Sequence, residues 1–258
     1  MKQTLLAFAL IFLFAPQANA LHEGDELSIV YADNWSPFSN GSGHDVAGIL
    51  PSLAQEIIGN RMGYKIHHFA VPWKRAGQLV KSGKADAFIT TPTASRLRFT
   101  RSSRNSIFSL NYRAFVSKAG FLTSNEKELS TEQLRDLKVC DVLGNGWVET
   151  FYKPNAIPFS TVKDVEVCLN LINMNRQDVL IHPAAVAWRA LDRMGLTSQF
   201  LMLPGRYPSP DFTLMISRSS KFDESFLNEF DQVVDTMKQS GEFDALMERL
   251  ILGEKNDP

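Results

Sequence analysis

Residues 26–32 (ELSIVYA), 64–71 (YKIHHFAV) and 85–90 (ADAFIT) are three short runs rich in β-branched and aromatic side chains. Between them lie 50–62 (LPSLAQEIIGNRM) and 74–81 (KRAGQLVK). Asp33-Asn34, Pro37, Gly63 and Gly83 bound these segments, as residues that end strands and helices should. In 50–62, Leu50, Leu53, Ile57 and Ile58 recur at helical spacing, and Pro51 stands in the first turn, where its missing N–H costs nothing. The order is β-α-β-α-β, which predicts a parallel sheet with helices on its faces.

The order begins again downstream. After an Arg-rich stretch and a strand from Tyr112 to Ser117 come a strand at Leu137 to Leu143, a helix at Trp147 to Tyr152 and a strand at Ile157 to Ser160. A helix from Asp164 to Met174 and a strand from Asp178 to Ile181 complete the second unit. Two such units predict an α/β fold of two Rossmann-like lobes. Phe212 to Ser217 is one more strand, and helices follow at Asp223 to Lys238 and Glu242 to Leu252, parted by Gly241. Phe226, Phe230, Val233, Val234 and Met237 line one helical face, which must pack on one of the sheets. The strands near 112–117 and 212–217 read as a two-strand hinge. The expected division is 21–113 for the first part of lobe 1, 114–214 for lobe 2 and 215–258 for the return to lobe 1.

At the N-terminus, Lys2, an apolar run from Leu5 to Ala15, Pro16 and Ala18-Asn19-Ala20 follow the charged, apolar and small-residue order of a signal peptide. The run is too short for a span, which needs about 20 residues. Residues 1–20 are therefore expected to be removed after Ala20 and the rest exported to the periplasm as a soluble protein. With 44% hydrophobic and 21% charged residues the chain is of globular composition, and its net charge of -1 provides no basic field for nucleic acid. Two cysteines cannot build a four-thiolate zinc site. In an oxidising compartment Cys140 and Cys168 can pair, and the crosslink would contribute roughly 3 kcal/mol; the alternative is two buried free thiols.

Ligands of such sheets sit beyond the carboxyl ends of the strands. After the first strand come Asp33, Trp35, Pro37 and Phe38, where Trp35 can stack on a ligand or join the core. After the third come Thr90, Thr91, Pro92 and Thr93, then Arg96 and Arg98. Hydroxyls beside a guanidinium fork form a carboxylate receptor, although with Arg101 and Arg104 the stretch also reads as a solvated basic loop. In the second unit Gly144-Asn145-Gly146-Trp147 opens a helix whose free N–H groups suit an anion. His182 ends a strand, as a site residue or simply as a polar residue before Pro183. Catalytic and metal patterns are missing: there is no Gly-x-Ser-x-Gly or His-Glu-x-x-His, His67 and His68 fall in a strand, His22 lies near the N-terminus and His44 in a turn. No metal or cofactor is expected.

Taken in order, Trp35-Ser36-Pro37-Phe38, Gly48-Ile49, Val71-Pro72-Trp73-Lys74-Arg75, Gly83-Lys84-Ala85-Asp86-Ala87, Thr93-Ala94-Ser95-Arg96 and Arg176-Gln177-Asp178 resemble the extracellular solute-binding proteins of polar amino acid ABC importers. The resemblance runs from about Glu26 to Leu252. It implies two lobes that close on a ligand, C-terminal helices that return to lobe 1, and a monomer without catalysis that serves a membrane permease. It also implies that Arg96, in the Thr-x-x-Arg stretch, holds the ligand carboxylate. Ungapped counting from Asp86 selects Arg98 instead, and Arg96 is preferred because it keeps the Thr spacing. Thr90, Thr91 and Thr93, the aromatic Trp35 and the helix start Gly144, Asn145 and Gly146 complete the implied ligand set, and Trp73 and the strand-end His182 are further ligand-binding candidates.

Two positions depart from the pattern. Where the family has an Asp for the ligand's α-amino group this chain has Pro183, next to His182, and Ser52 replaces a usual acidic residue. A buried ammonium without a counter-charge is costly, which counts against an α-amino acid; the expected ligand is a small polar, carboxylate-bearing metabolite, an amino acid or a related compound. Rival readings are a same-fold dehydratase using Asp33, His182 or Asp211 as acid or base, and a ligand-sensing component that signals in trans to a membrane sensor.

Overall fold

The computed structural model describes residues 26–120 and 128–253, so the expected signal peptide lies outside the described residues. The first half runs β1 (Glu26–Ala32), β2 (Asn34–Trp35), β3 (Ser39–Ser42), β4 (Asp45–Ala47), α1 (Ile49–Ala54) with a π-helical continuation over Gln55–Arg61, β5 (Lys65–Val71), α2 (Trp73–Lys81), β6 (Ala87–Thr90), α3 (Ala94–Leu97), β7 (Thr100–Ser102) and β8 (Phe108–Ser109). Then come β9 (Tyr112–Ser117), α4 (Thr131–Arg135), β10 (Val139–Val142), a π turn at Val148–Tyr152, β11 (Phe159–Val162), α5 (Val165–Asn173), β12 (Val179–Pro183), α6 (Ala184–Arg193), β13 (Phe200–Met202), β14 (Asp211–Ser217), α7 (Glu224–Ser240) and α8 (Glu242–Gly253).

Two main sheets carry the two lobes. The first has the order β5-β1-β6-β14-β7, with β8 on β14, and the second the order β11-β10-β12-β9-β13. β1 is parallel to β5 and β6, and β10 to β11 and β12, as β-α-β connections require. Each sheet is completed by an antiparallel strand, β14 beside β6 and β9 beside β12. The strands expected to span a hinge each stay within one sheet. Tyr112 and Arg113 pair with Pro183 and His182 in the second sheet, while Asp211 and Phe212 pair with Ser109 and Phe108 in the first. The chain therefore crosses between lobes at residues 110–111 and 208–210, a few residues from the expected 113/114 and 214/215.

The terminal helices pack on the first lobe. Phe226 of α7 lies 4.9 Å from the Tyr64 ring, and Glu242 of α8 meets Arg61 at 2.6 Å. Phe226, Phe230, Val234 and Met237 are buried, while Val233 is only half-buried. In the second lobe Cys140 of β10 and Cys168 of α5 form a disulfide, Cα to Cα 5.9 Å, which fastens the helix to that strand.

The helix α6 was not among the expected elements, because Pro183 reads as a break. It acts as the N-cap instead: its φ of -51° and missing N–H suit a helix start, and Val186, Ala187, Ala190 and Leu191 supply the buried stripe.

Candidate functional site

The carboxyl ends of β1 and β6 face those of β10 and β12 across a cleft of about 800 Å³, counted with the solvent at its mouth. Tyr31, Asp33, Trp35, Thr90, Thr91 and Arg96 line it from lobe 1, and Asn145, Gly146, Asp164 and His182 from lobe 2. Tyr112 and Phe212, at the starts of β9 and β14 just beyond the two crossings, line it as well.

Arg96 is placed by local structure. β6 ends at Thr90, and Thr93 caps the single turn of α3 by accepting from the Arg96 N–H at 3.3 Å. That turn brings the guanidinium back over the strand end, where Nη1 donates to Thr90 Oγ1 and to the Thr91 carbonyl, both at 2.9 Å. Nη2 donates to the Gly144 carbonyl of the other lobe at 3.0 Å. The Trp73 ring lies 5.4 Å from the Arg96 Cζ, and its indole Nε1 donates to the same Gly144 carbonyl at 2.9 Å. Burial lowers the Arg96 pKa to about 10, so the side chain remains a cation at neutral pH.

Two further sets of contacts join the lobes. Ser95 donates its N–H and hydroxyl to Glu149, and on the other rim Arg189 reaches Ser36 and Arg193 reaches Asn34. The closed arrangement also explains Gly146. A Cβ there would lie 2.6 Å from Arg96 Nη1 and 3.0 Å from Thr93 Cγ2, and Arg96 is held by three hydrogen bonds. Gly146→Val is therefore expected to prop the lobes apart and weaken ligand binding by about tenfold, the scale of an overpacking penalty. Calorimetry with small-angle scattering checks this, and unchanged affinity with an unchanged radius of gyration would refute it.

Each expected site residue now has a location. Thr90, Thr91, Arg96, Trp35, Trp73, Asn145, Gly146 and His182 share the cleft. Thr93 is buried but spends its hydroxyl on the α3 cap, and Gly144 presents its carbonyl to Trp73 and Arg96. Arg98 is exposed outside the cleft, and so is Asp211, which accepts from Ser109. Asp211 is therefore not beside Asp33 and His182. Phe38 packs in the core against Trp35 and Phe108.

Sequence reasoning missed Tyr112 and Phe212 in the cleft lining, and Asp141, a buried carboxylate that holds the lining residue Asn145. Tyr112 is 3% exposed and stacks on Trp147, and Phe212 backs Trp35 with rings 5.6 Å apart. Asp141 is fully buried, accepts from Asn145 Nδ2 and the Val142 N–H, and has its pKa pushed up to about 7 by that burial. His182 has neither ring nitrogen hydrogen-bonded, and burial lowers its pKa to about 3.

The two buried groups act oppositely on stability. Asp141 holds an extra proton in the folded state between its unfolded pKa near 4 and about 7, so its contribution is lost as pH rises through that window. His182 must stay neutral when folded, so its contribution is lost as pH falls from about 6.5 towards 3. Near pH 5 to 6 the slopes offset each other. Asp141→Asn is expected to leave melting temperatures that rise with pH across this range, and His182→Gln to leave melting temperatures that fall. Parallel profiles for the two variants would contradict the assignment.

Among the described residues no helix is long and apolar enough to cross a membrane, and no cluster of three or more His, Cys, Asp or Glu is placed to hold a metal ion. The sequence matches the bacterial extracellular solute-binding proteins, family 3, over residues 27–253, and the chain belongs to that family. Its fold is that of the periplasmic binding proteins. The substrate-binding protein AbpA of an amino acid ABC transporter from Streptococcus pneumoniae, solved with L-arginine, superposes with a TM-score of 0.71 at 17% identity, covering 92% of this chain and 99% of that one. An ancestral arginine-binding protein bound to arginine gives 0.69 at 19% identity, covering 87% and 97%. A histidine kinase sensor domain with similarity to periplasmic binding proteins gives 0.70 at 14%, covering 87% and 95%. At these identities the shared property is the fold. No curated protein sequence matches the chain.

Proposed function

We propose that the protein is a periplasmic receptor that captures a small carboxylate-bearing metabolite between its lobes and delivers it to an ABC importer. The observation that carries this reading is the Arg96 guanidinium, buried at the cleft between Thr90, Thr91 and Trp73 and reaching Gly144 on the opposite lobe. A carboxylate bound there bridges the lobes and favours the closed form, which a membrane partner recognises. Export follows from cleavage after Ala20, and the receptor is a monomer that performs no chemistry on its ligand.

Native mass spectrometry of the protein purified from the periplasm tests the reading. A bound acid of low mass, absent from Arg96→Ala, supports it; a ligand without an acidic group refutes it. The histidine kinase sensor domain of the same fold favours a second reading, in which the closed form reports to a membrane sensor. Loss of uptake in cells lacking this protein supports the importer. Normal uptake with a lost transcriptional response supports the sensor.

A further inference from the structure

Two short segments meet across the seam between the lobes, residues 93–96 of lobe 1 and residues 144–149 of lobe 2. Arg96 Nη2 donates to the Gly144 carbonyl at 3.0 Å. In the opposite sense, the Glu149 carboxylate accepts from the Ser95 N–H at 2.9 Å and from the Ser95 hydroxyl at 2.5 Å. Each of these bonds has a charged group on one side, which makes it stronger than a neutral pair. Glu149 is brought to the seam by the turn that starts at Gly146, whose carbonyl accepts the Glu149 N–H at 3.0 Å. Neither Glu149 nor Ser95 lines the cleft, so their contact is independent of what the cleft holds.

The groups that act on the Glu149 carboxylate belong to lobe 1. Burial alone would raise its pKa, but hydrogen bonds from Ser95 and Thr93 and the Arg96 charge outweigh this and hold it below the usual carboxylate range. Arg193 on the opposite rim differs. It reaches Asn34 of lobe 1 at 3.1 Å, yet its charge is already met within lobe 2 by Glu166 at 2.9 Å. Opening the lobes therefore strips Glu149 of its partners and leaves Arg193 its ion pair. On the lobe 1 side, the same contact steadies the single turn of α3 that presents Arg96. We infer that Glu149 is the clasp between the lobes, a positioning residue that through Ser95 holds α3 and Arg96 in place and keeps a share of the molecules closed before any ligand enters. The inference goes beyond the carboxylate reading of the cleft and does not rest on it.

Pulsed dipolar electron resonance between nitroxides on Lys81→Cys of lobe 1 and Glu132→Cys of lobe 2, both exposed, reads the separation of the lobes; Cys140 and Cys168 are joined and take no label. The protein is first refolded from denaturant and dialysed, so that no ligand is carried over. A closed and an open distance are expected in the otherwise unaltered protein, with a closed-to-open ratio about tenfold lower in Glu149→Ala. Glu149→Gln, which keeps an acceptor for Ser95, should lower the ratio less. Ser95→Ala, on the other lobe, should lower it too, and by a smaller factor where Glu149 is already replaced by Ala, as coupled partners do. A purely local role of Glu149 within lobe 2 would leave the ratio of Ser95→Ala unmoved. The inference is overturned by an open distance alone in the unaltered protein, by a ratio that either substitution leaves unchanged, or by strictly additive effects of the two. None of these results touches the carboxylate reading, which Arg96→Ala tests with ligand present.

Discussion

Arg96→Ala is expected to lower ligand affinity by about a hundredfold or more, the scale of truncating one partner of a buried, hydrogen-bonded charge pair. The protein should remain folded. Arg96 contributes to no strand ladder, and its loss leaves the Thr91 and Gly144 carbonyls facing a cleft that water can enter. Arg96→Lys separates charge from geometry. A lysine keeps the positive charge and loses the planar fork that engages Thr90, Thr91 and Gly144 together, so most of the affinity should still disappear. Titration calorimetry reads the affinities, and circular dichroism confirms the fold. Arg98→Ala, which alters an exposed side chain outside the cleft, should bind as the unaltered protein does.

The second large effect concerns stability. Cys140 and Cys168 join β10 to α5 across 28 residues of chain, and both are fully buried. Replacing both by Ala is expected to destabilise the protein by about 3 kcal/mol, chiefly by freeing the unfolded chain. For a chain of this length that corresponds to a fall in melting temperature of roughly 6 to 12 °C. Ligand affinity should change little, because neither cysteine lines the cleft. Thermal unfolding with and without reductant checks the effect: reduction should lower the melting temperature of the unaltered protein and leave the double variant unmoved. Equal melting temperatures for both proteins would show that the crosslink does not contribute.

These predictions depend on features that differ in how readily the sequence shows them. The β1-α1-β5-α2-β6 unit was legible because Leu50, Leu53, Ile57 and Ile58 keep helical spacing between runs with strand composition, and all four are buried as that spacing requires. The crossover points were less legible, since nothing in Tyr112–Ser117 or Asp211–Ser217 says which sheet will pair with them. α6 was hidden by Pro183, whose fixed φ serves equally to end one element and to begin another.

Within the site, spacing placed Thr90 and Thr91 at the end of β6 but left Arg96 and Arg98 as alternatives. The one-turn helix capped by Thr93 separates them, turning Arg96 inward and Arg98 outward. The need for glycine at position 146 was beyond sequence reasoning, because the atoms that exclude a Cβ belong to Arg96 and Thr93, some 50 residues away in the chain. Asp141 and Tyr112 were missed for a related reason. Each lies in a strand of mostly apolar residues, and its neighbours, Asn145 for Asp141 and Trp147 and His182 for Tyr112, come together only in the folded second lobe.

A thermal-shift screen of small organic acids and amino acids against the unaltered protein and Arg96→Ala tests the central claim most directly. At a hundredfold excess over Kd a ligand stabilises its receptor by about 2.7 kcal/mol, which for this chain length raises the melting temperature by roughly 5 to 10 °C. The prediction is that one class of small carboxylates produces such a shift in the unaltered protein and none in Arg96→Ala. Equal shifts in the two proteins, or flat melting temperatures throughout the panel, would contradict a carboxylate receptor built around Arg96.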